Sequence, residues 1–319
     1  MATRNVKILA LALSPGEDYM AVACHNNNLG LVNIKSIGLN SEEEKKKEKE
    51  KEVRFDMICK GGFHSGSISC IDIAIQRPLI VTASREDCTV RLWNYYTFTC
   101  ELAKEYYTKE DVISKDYARP LSSVAIHPSG YYLAISFFYA ISFYHIMHDD
   151  LRHYKNLDIK SCSIMKFTQG GHFFFALDKQ NINIFNSYTL IKLHQIKNPS
   201  LYINDLVIGP KDQSFAVICE DGTIGRYVLP TFSLIKEGNT CDKGFEMRAL
   251  DYIQDEAEDS NAPYLVCVGG DKYKANIRIV NKTDYIREKT KHKEKEQQNE
   301  NEYDNDWTGS YFPEDGKFT

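Results

Sequence analysis

The run Thr89-Val90-Arg91-Leu92-Trp93-Asn94 favours a β-strand and closes on a tryptophan, and its outline returns along most of the chain. Each unit holds a short apolar strand, a polar turn, a second apolar strand, another turn, and a third strand ending on a large residue. Aligned on Trp93, those endings fall at Val32, Trp93, Tyr144, Phe185, Tyr227 and Val280, spaced 61, 51, 41, 42 and 53 residues apart. A unit this small cannot bury both faces of its own sheet, so such a chain must stack neighbouring units against one another. That narrows the fold to an array of small sheets.

The turns repeat with the strands. Ser14-Pro15-Gly16-Glu17-Asp18 separates the first two strands of the first unit, and His127-Pro128-Ser129-Gly130 does so in the third. Thr168-Gln169-Gly170-Gly171 and Gly209-Pro210-Lys211-Asp212 take that place in the fourth and fifth. Proline and glycine there mark tight turns. The three long spacings each contain a charged insertion, at 41–52, 108–119 and 254–263, which reads as a solvated loop. Without the insertions the period is about 40–45 residues, that of the WD repeat. The expected fold is therefore an all-β WD-repeat β-propeller with six recognisable blades, the seventh missing, cryptic or supplied by another segment. Residues 1–281 form the propeller in this reading, and 282–319 a polar linker or tail. Trp307-Thr308-Gly309-Ser310-Tyr311-Phe312 is a candidate docking strand within that tail.

Composition removes several function classes. A net charge of −5 lacks the excess of Lys and Arg on which nonspecific nucleic-acid binding rests. No apolar run approaches the ~20 residues that span a bilayer, and the start does not read as a signal peptide, so membrane insertion is not expected and an intracellular setting is. The nine cysteines form no CxxC pair, and several sit in apolar runs, as reduced, buried cysteines do.

In a full WD unit a His, a Ser or Thr, an Asp and a Trp hydrogen-bond together. His64, Ser84, Asp87 and Trp93 are the candidates here, with a structural role in fixing one blade. Ser84-Arg85-Glu86-Asp87 is one residue longer than the usual Ser-x-Asp turn, which weakens the Ser84 link. The same residues suggest a hydrolytic triad, but Ser84 lacks a G-x-S-x-G frame. No catalytic, cofactor or metal site is expected. His145, His148 and His153, with Asp149 and Asp150, lack the spacing of a helical metal site and read as a surface turn. Gly61-Gly62 and Gly269-Gly270 lack the context of a phosphate loop. Phe137-Phe138-Tyr139 and Phe173-Phe174-Phe175 read as packing between blades.

Beyond the repeat, Ile75-Gln76-Arg77-Pro78-Leu79-Ile80-Val81-Thr82-Ala83-Ser84 and Glu101-Leu102-Ala103-Lys104-Glu105-Tyr106 resemble the ciliary WD-repeat family of cilia- and flagella-associated protein 57. His127-Pro128-Ser129-Gly130, His148-Asp149-Asp150-Leu151-Arg152 and Gly170-Gly171-His172-Phe173 continue the likeness in order, which runs from about Val6 to Leu229. It covers what resembles the second propeller of that family. The resemblance implies a non-catalytic scaffold in the axoneme, a cytoskeletal setting in motile cilia. It further implies a role in anchoring inner-arm dynein or the nexin-dynein regulatory complex on doublet microtubules, with tubulin or other axonemal proteins as partners. The alternative is a general cytoplasmic WD adaptor in ciliary transport or a ligase complex.

Overall fold

A computed structural model describes residues 7–16, 18–25, 27–34, 55–57, 63–106, 121–178, 181–197, 202–220, 222–239, 246–253, 264–271 and 274–280. The three charged insertions and the segment 282–319 lie outside the described residues. The fold is an all-β WD-repeat propeller with five complete four-stranded blades. The first blade is β1 (Ile8–Leu13), β2 (Tyr19–Cys24), β3 (Leu29–Asn33) and β4 (Phe55–Met57). The second is β5 (Ile68–Ile73), β6 (Leu79–Ser84), β7 (Thr89–Asn94) and β8 (Thr99–Glu105). β9 (Leu121–Ile126), β10 (Tyr132–Phe137), β11 (Ile141–Ile146) and β12 (Leu151–Leu157) make the third. The fourth is β13 (Cys162–Phe167), β14 (Phe173–Asp178), β15 (Asn181–Asn186) and β16 (Lys192–Lys197). The fifth is β17 (Ile203–Ile208), β18 (Ser214–Cys219), β19 (Thr223–Val228) and β20 (Leu234–Asn239). All five run in sequence order across an antiparallel sheet.

The expected sixth blade is not complete. β21 (Glu246–Ile253), β22 (Tyr264–Asp271) and β23 (Lys274–Val280) form a three-stranded sheet, so the count of six becomes five among the described residues. Directly after Val280 the sequence turns to Lys, Glu, Gln and Asn, a composition that does not read as a strand.

The repeat is visible in the irregularities as well as in the strands. The pairing of third and fourth strands slips just before Trp93, Tyr144, Phe185 and Tyr227, four of the landmarks that align the sequence. A β-bulge places two residues against one and sharpens the local twist. The large landmark side chain therefore sits where each blade bends. A second slip recurs near the start of β1, β5, β13, β17 and β21.

First strands lie beside first strands, so β1, β5 and β9 run side by side on the inside of the array, as do β17 and β21. The core is consequently sliced between blades. Ala21, Leu31, Ile80 and Trp93 fill the gap between the first two blades, and Val81, Leu92, Val124 and Ile135 the next. Phe143, Met165 and Phe174 continue the series, followed by Phe175, Leu206 and Phe215. Buried cysteines belong to these slices: Cys162 lies fully within one, where burial pushes its thiol up to about 12. Cys24, Cys70, Cys88, Cys100, Cys162 and Cys219 are free thiols. No helix among those residues is long and apolar enough to cross a membrane.

Two aspartates lace the inner strands together. Asp72 accepts the Ile126 N–H of the next blade at 2.8 Å, and Asp205 accepts the Leu250 N–H at 3.0 Å. Burial pushes the Asp72 carboxyl up to about 6, against the opposing pull of the Ile126 N–H and Lys166. The folded chain then holds this proton more tightly than the unfolded chain does. Its contribution to stability is complete below about pH 4 and is lost as the pH rises through about 6. Asp72→Asn, which cannot titrate, is expected to remove that slope. Urea melts of both proteins at several pH values between about 4 and 7 check it. A wild-type to variant difference that stays constant across the window refutes the assignment.

Candidate functional site

Blade two carries the hydrogen-bonded set. Trp93 Nε1 can only donate, and it does so to Thr82 Oγ1 at 2.7 Å. That leaves the Thr82 hydroxyl proton for His64 Nε2, also at 2.7 Å. His64 Nδ1–H then points at Asp87 Oδ2, 3.1 Å away, with Thr89 Oγ1 beside it at 2.9 Å. Asp87 further accepts the Ser65 and Thr89 N–H groups and the Thr89 hydroxyl. Burial raises the Asp87 carboxyl, but the bonds from His64 and Thr89 outweigh it and hold the group well below the usual carboxylate range.

His64, Asp87 and Trp93 are thus brought together as the sequence pattern suggests, but Ser84 is not the hydroxyl that joins them. Ser84 Oγ accepts the Asp87 N–H at a long 3.4 Å, while Thr82, two residues earlier on β6, takes the central place. The extra residue in the turn carries Asp87 away from the strand, and alternation puts Thr82 and Ser84 on the same face of β6. Spacing alone could not choose between them. His64, Thr82 and Trp93 are each no more than 1% exposed, so the set is buried within the blade except at Asp87.

The second construction lies at one end of the blades. An antiparallel sheet puts the turn between its first and second strands at the same end as the turn between its third and fourth. The first of these turns are linked from blade to blade. Arg77 Nη1 donates to Gly130 O at 3.0 Å, and the Ile75 and Gln76 N–H groups donate to Pro128 O. His127 Nδ1 accepts the Ser129 N–H, so its Nε2–H donates to Gly171 O at 3.0 Å. Asp212 accepts the Gln169 and Gly170 N–H groups at 2.9 and 2.6 Å. Burial lowers the His127 pKa, in favour of the neutral ring that this network requires. Large apolar side chains are exposed on this linked end, among them Ile75, Tyr96, Tyr131, Met147 and Tyr188. Arg77 lies over the Tyr131 ring at 5.2 Å. The insertions 41–52 and 254–263 join strands at this end, and 108–119 joins β8 to β9 at the other.

The histidine cluster disperses. His145 packs on Tyr132 and Tyr154, His153 bonds Asn156 at 2.7 Å, and His148 stands in the exposed turn between β11 and β12. No three His, Cys, Asp or Glu side chains among the described residues are placed to hold a metal ion. Of the aromatic runs, Phe174 and Phe175 pack between blades, whereas Phe138 and Tyr139 are exposed at the end opposite the linked turns.

Comparison with known proteins agrees with this geometry. The family model "WD domain, G-beta repeat" matches residues 59–94, the stretch that contains the His64 and Trp93 set. Cilia- and flagella-associated protein 57 of Mus musculus is 30% identical over 224 residues, 70% of this chain and 16% of its own. The protein named 57 A in Tetrahymena thermophila is 30% identical over 237 residues, 74% of this chain and 16% of its own. The protein named 57 C in that organism is 23% identical over 241 residues. The matched part of the chain spans only about a sixth of the length of these relatives. Over about 70% of its length this WD-repeat chain is a homologue of cilia- and flagella-associated protein 57.

Proposed function

We propose that this chain is a non-catalytic scaffold of the ciliary axoneme, helping to anchor inner dynein arms or regulatory-complex subunits on doublet microtubules. The observation that carries the reading is the row of linked turns with Tyr96, Tyr131 and Tyr188 exposed on it. Tyrosine supplies large contact area with few rotatable bonds, and it is enriched where proteins meet. The linked turns hold Tyr131 under Arg77 and Tyr188 against His127 before a partner arrives, which lowers the entropy cost of binding. The ciliary setting follows from the relatives, each named as cilia- and flagella-associated. In this reading the His64 set is a buried strut for blade two, β21 to β23 belong to the sixth blade, and the insertions at 41–52 and 254–263 set which partner fits beside the tyrosines. The propeller extends over 1–281, with 282–319 as its tail.

Fractionation of an epitope-tagged chain tests this. It is expected in salt-washed axonemes, crosslinked to inner-arm dynein or regulatory-complex subunits. Tyr96→Ala with Tyr131→Ala is expected to lower that retention several-fold without altering the melt. A purely cytoplasmic pool crosslinked to transport or ligase subunits sinks the proposal and favours the general cytoplasmic adaptor.

A further inference from the structure

The blades also meet along their outer strands, and the seam between blades three and four is lined with cations. Arg152 and Lys155 of β12 stand opposite His145 and Phe143 of β11, while Lys192 and Lys197 of β16 stand opposite Phe185 and Asn181 of β15. Cross-strand partners share a face of their sheet, and that face alternates along each strand. Phe143 and Phe185 both belong to the slice between blades three and four, so the four cations line one seam from its two sides. Lys155 Nζ crosses it, donating to Thr189 O at 3.1 Å. All four side chains are exposed, and none has a carboxylate partner among the described residues. The link from β12 to β13 adds one charge of each sign, Asp158 and Lys160.

The preceding seam is neutralised. Lys104 of β8 crosses from blade two to blade three, where it bonds Leu151 O at 2.8 Å and the Asp150 carboxylate at 2.6 Å. Leu151 and Leu190 are the buried leucines that close the same turn in blades three and four. The residue before each is Asp150 in one and Thr189 in the other, so a hydroxyl stands where Lys155 arrives. Four like charges gathered in one seam repel one another, and because the whole chain carries −5 the excess is local. An anion lying between the strands recovers that cost.

We propose that this seam binds an acidic segment of a partner protein, extended between β12 and β16 with its carboxylates on Arg152, Lys155, Lys192 and Lys197. Guanidinium and ammonium groups make their strongest hydrogen bonds to such ionised acceptors. Ile191 and Leu193 flank Lys192 and are 62% and 46% exposed, which gives an aliphatic side chain of the segment a surface to cover. A nucleic acid fits less well, because it is held by neutralising a long run of phosphates, and an acidic chain with its cations in one place opposes that.

The experiment uses the full chain and a rhodamine-labelled peptide of alternating Glu and Ala, with a peptide of Gln and Ala as control. Fluorescence anisotropy is expected to report binding of the Glu peptide alone, weakening about tenfold or more between about 50 and 300 mM salt as the charges are screened. Arg152→Glu with Lys192→Glu is expected to lower the affinity about tenfold or more without altering the melt. Lys7→Glu with Lys211→Glu makes the same change in net charge at two exposed positions elsewhere, and is expected to lower it less than about twofold. The seam is independent of the tyrosine face, so Tyr96→Ala with Tyr131→Ala should leave the peptide affinity unchanged. Equal losses from the two Glu pairs overturn the proposal, because the attraction would then be to net charge and not to this seam. So does the lack of any difference between the Glu and Gln peptides, absence of binding included. An oligonucleotide of matched charge that binds more tightly and displaces the Glu peptide overturns it as well, since the seam would then read phosphate.

Discussion

Trp93→Ala is expected to cost about 3–5 kcal/mol, the usual range for emptying a buried tryptophan site. Trp93 is 1% exposed and packs in the slice between the first two blades with Ala21, Leu31 and Ile80, so its loss opens a cavity that two sheets would have to close together. The substitution also leaves the Thr82 hydroxyl without the indole N–H that it accepts at 2.7 Å. Trp93→Phe separates the two effects. It keeps most of the packing and removes the donor, and is expected to cost about 1–3 kcal/mol, the penalty for a buried polar group left unpaired. Because contacts in a repeat fold run mainly between neighbours, the damage should stay local. Native-state hydrogen exchange reads this directly. Amides of β6 should exchange about 100-fold faster or more in Trp93→Ala, while those of β14, two blades away, hold their rates. Equal acceleration at β6 and β14 would mean that the blades unfold as one unit and would defeat the local reading, as would a loss below about 1 kcal/mol.

What the sequence makes legible follows from how far apart the cooperating residues lie. Trp93, Tyr144, Phe185 and Tyr227 announce the third strand of four blades because the bulge beside each favours a large side chain at one fixed place in the repeat. The turn before β10 is equally plain, since Pro128 and Gly130 carry it within four residues. Thr82 is harder to find. Its role depends on the reach of Trp93 from the neighbouring strand, and Ser84 offers the same hydroxyl on the same face. The linked turns leave no local trace at all. Arg77 and Gly130 are 53 residues apart, His127 and Gly171 are 44 apart, and the backbone carbonyls that accept these bonds are common to every residue type. A pattern read within one repeat cannot see a contact whose acceptor is the next repeat's backbone. The aspartates of the inner strands, Asp72 and Asp205, escape notice for the same reason.

The linked turns can be tested at three glycines that occupy the same turn in different blades. Gly171 adopts φ +74°, and a Cβ added there would stand 2.5 Å from His127 Nε2. That ring cannot retreat, because it is 3% exposed and the rings of Tyr132, Phe167 and Tyr188 meet it edge-on at 5.2–5.5 Å. Gly171→Ala is therefore expected to add about 1–2 kcal/mol of backbone strain to about 1–3 kcal/mol of overpacking, and to break the bond from His127. Gly130 has the same φ, and an added Cβ meets Arg77 at its Cβ, 2.8 Å away, and along its stem; the stem lies partly in solvent and can turn aside, but the Cβ moves only with the backbone of that turn. Gly130→Ala should cost the backbone strain of about 1–2 kcal/mol and about 1 kcal/mol of overpacking, less than Gly171→Ala because no buried ring is wedged and no buried histidine bond is broken. Gly16 has no positive φ, and its added Cβ meets only the Asp18 side chain at 3.4 Å, so Gly16→Ala should fall within about 0.5 kcal/mol of the wild type. Thermal melts of the three variants rank them, and any other order shows that the turns do not bear the load assigned to them. The same series separates rigidity from mere presence at the proposed docking face. Tyr188 leans on His127 and Tyr131 lies under Arg77, so both rings lose their support when these links loosen, although neither residue is altered. If pre-set rings make the face bind, axonemal retention at a temperature where all three variants are folded should fall in the order Gly16→Ala, Gly130→Ala, Gly171→Ala. Equal retention across the series would move the partner's footprint to the opposite end of the blades, where Phe138 and Tyr139 are exposed.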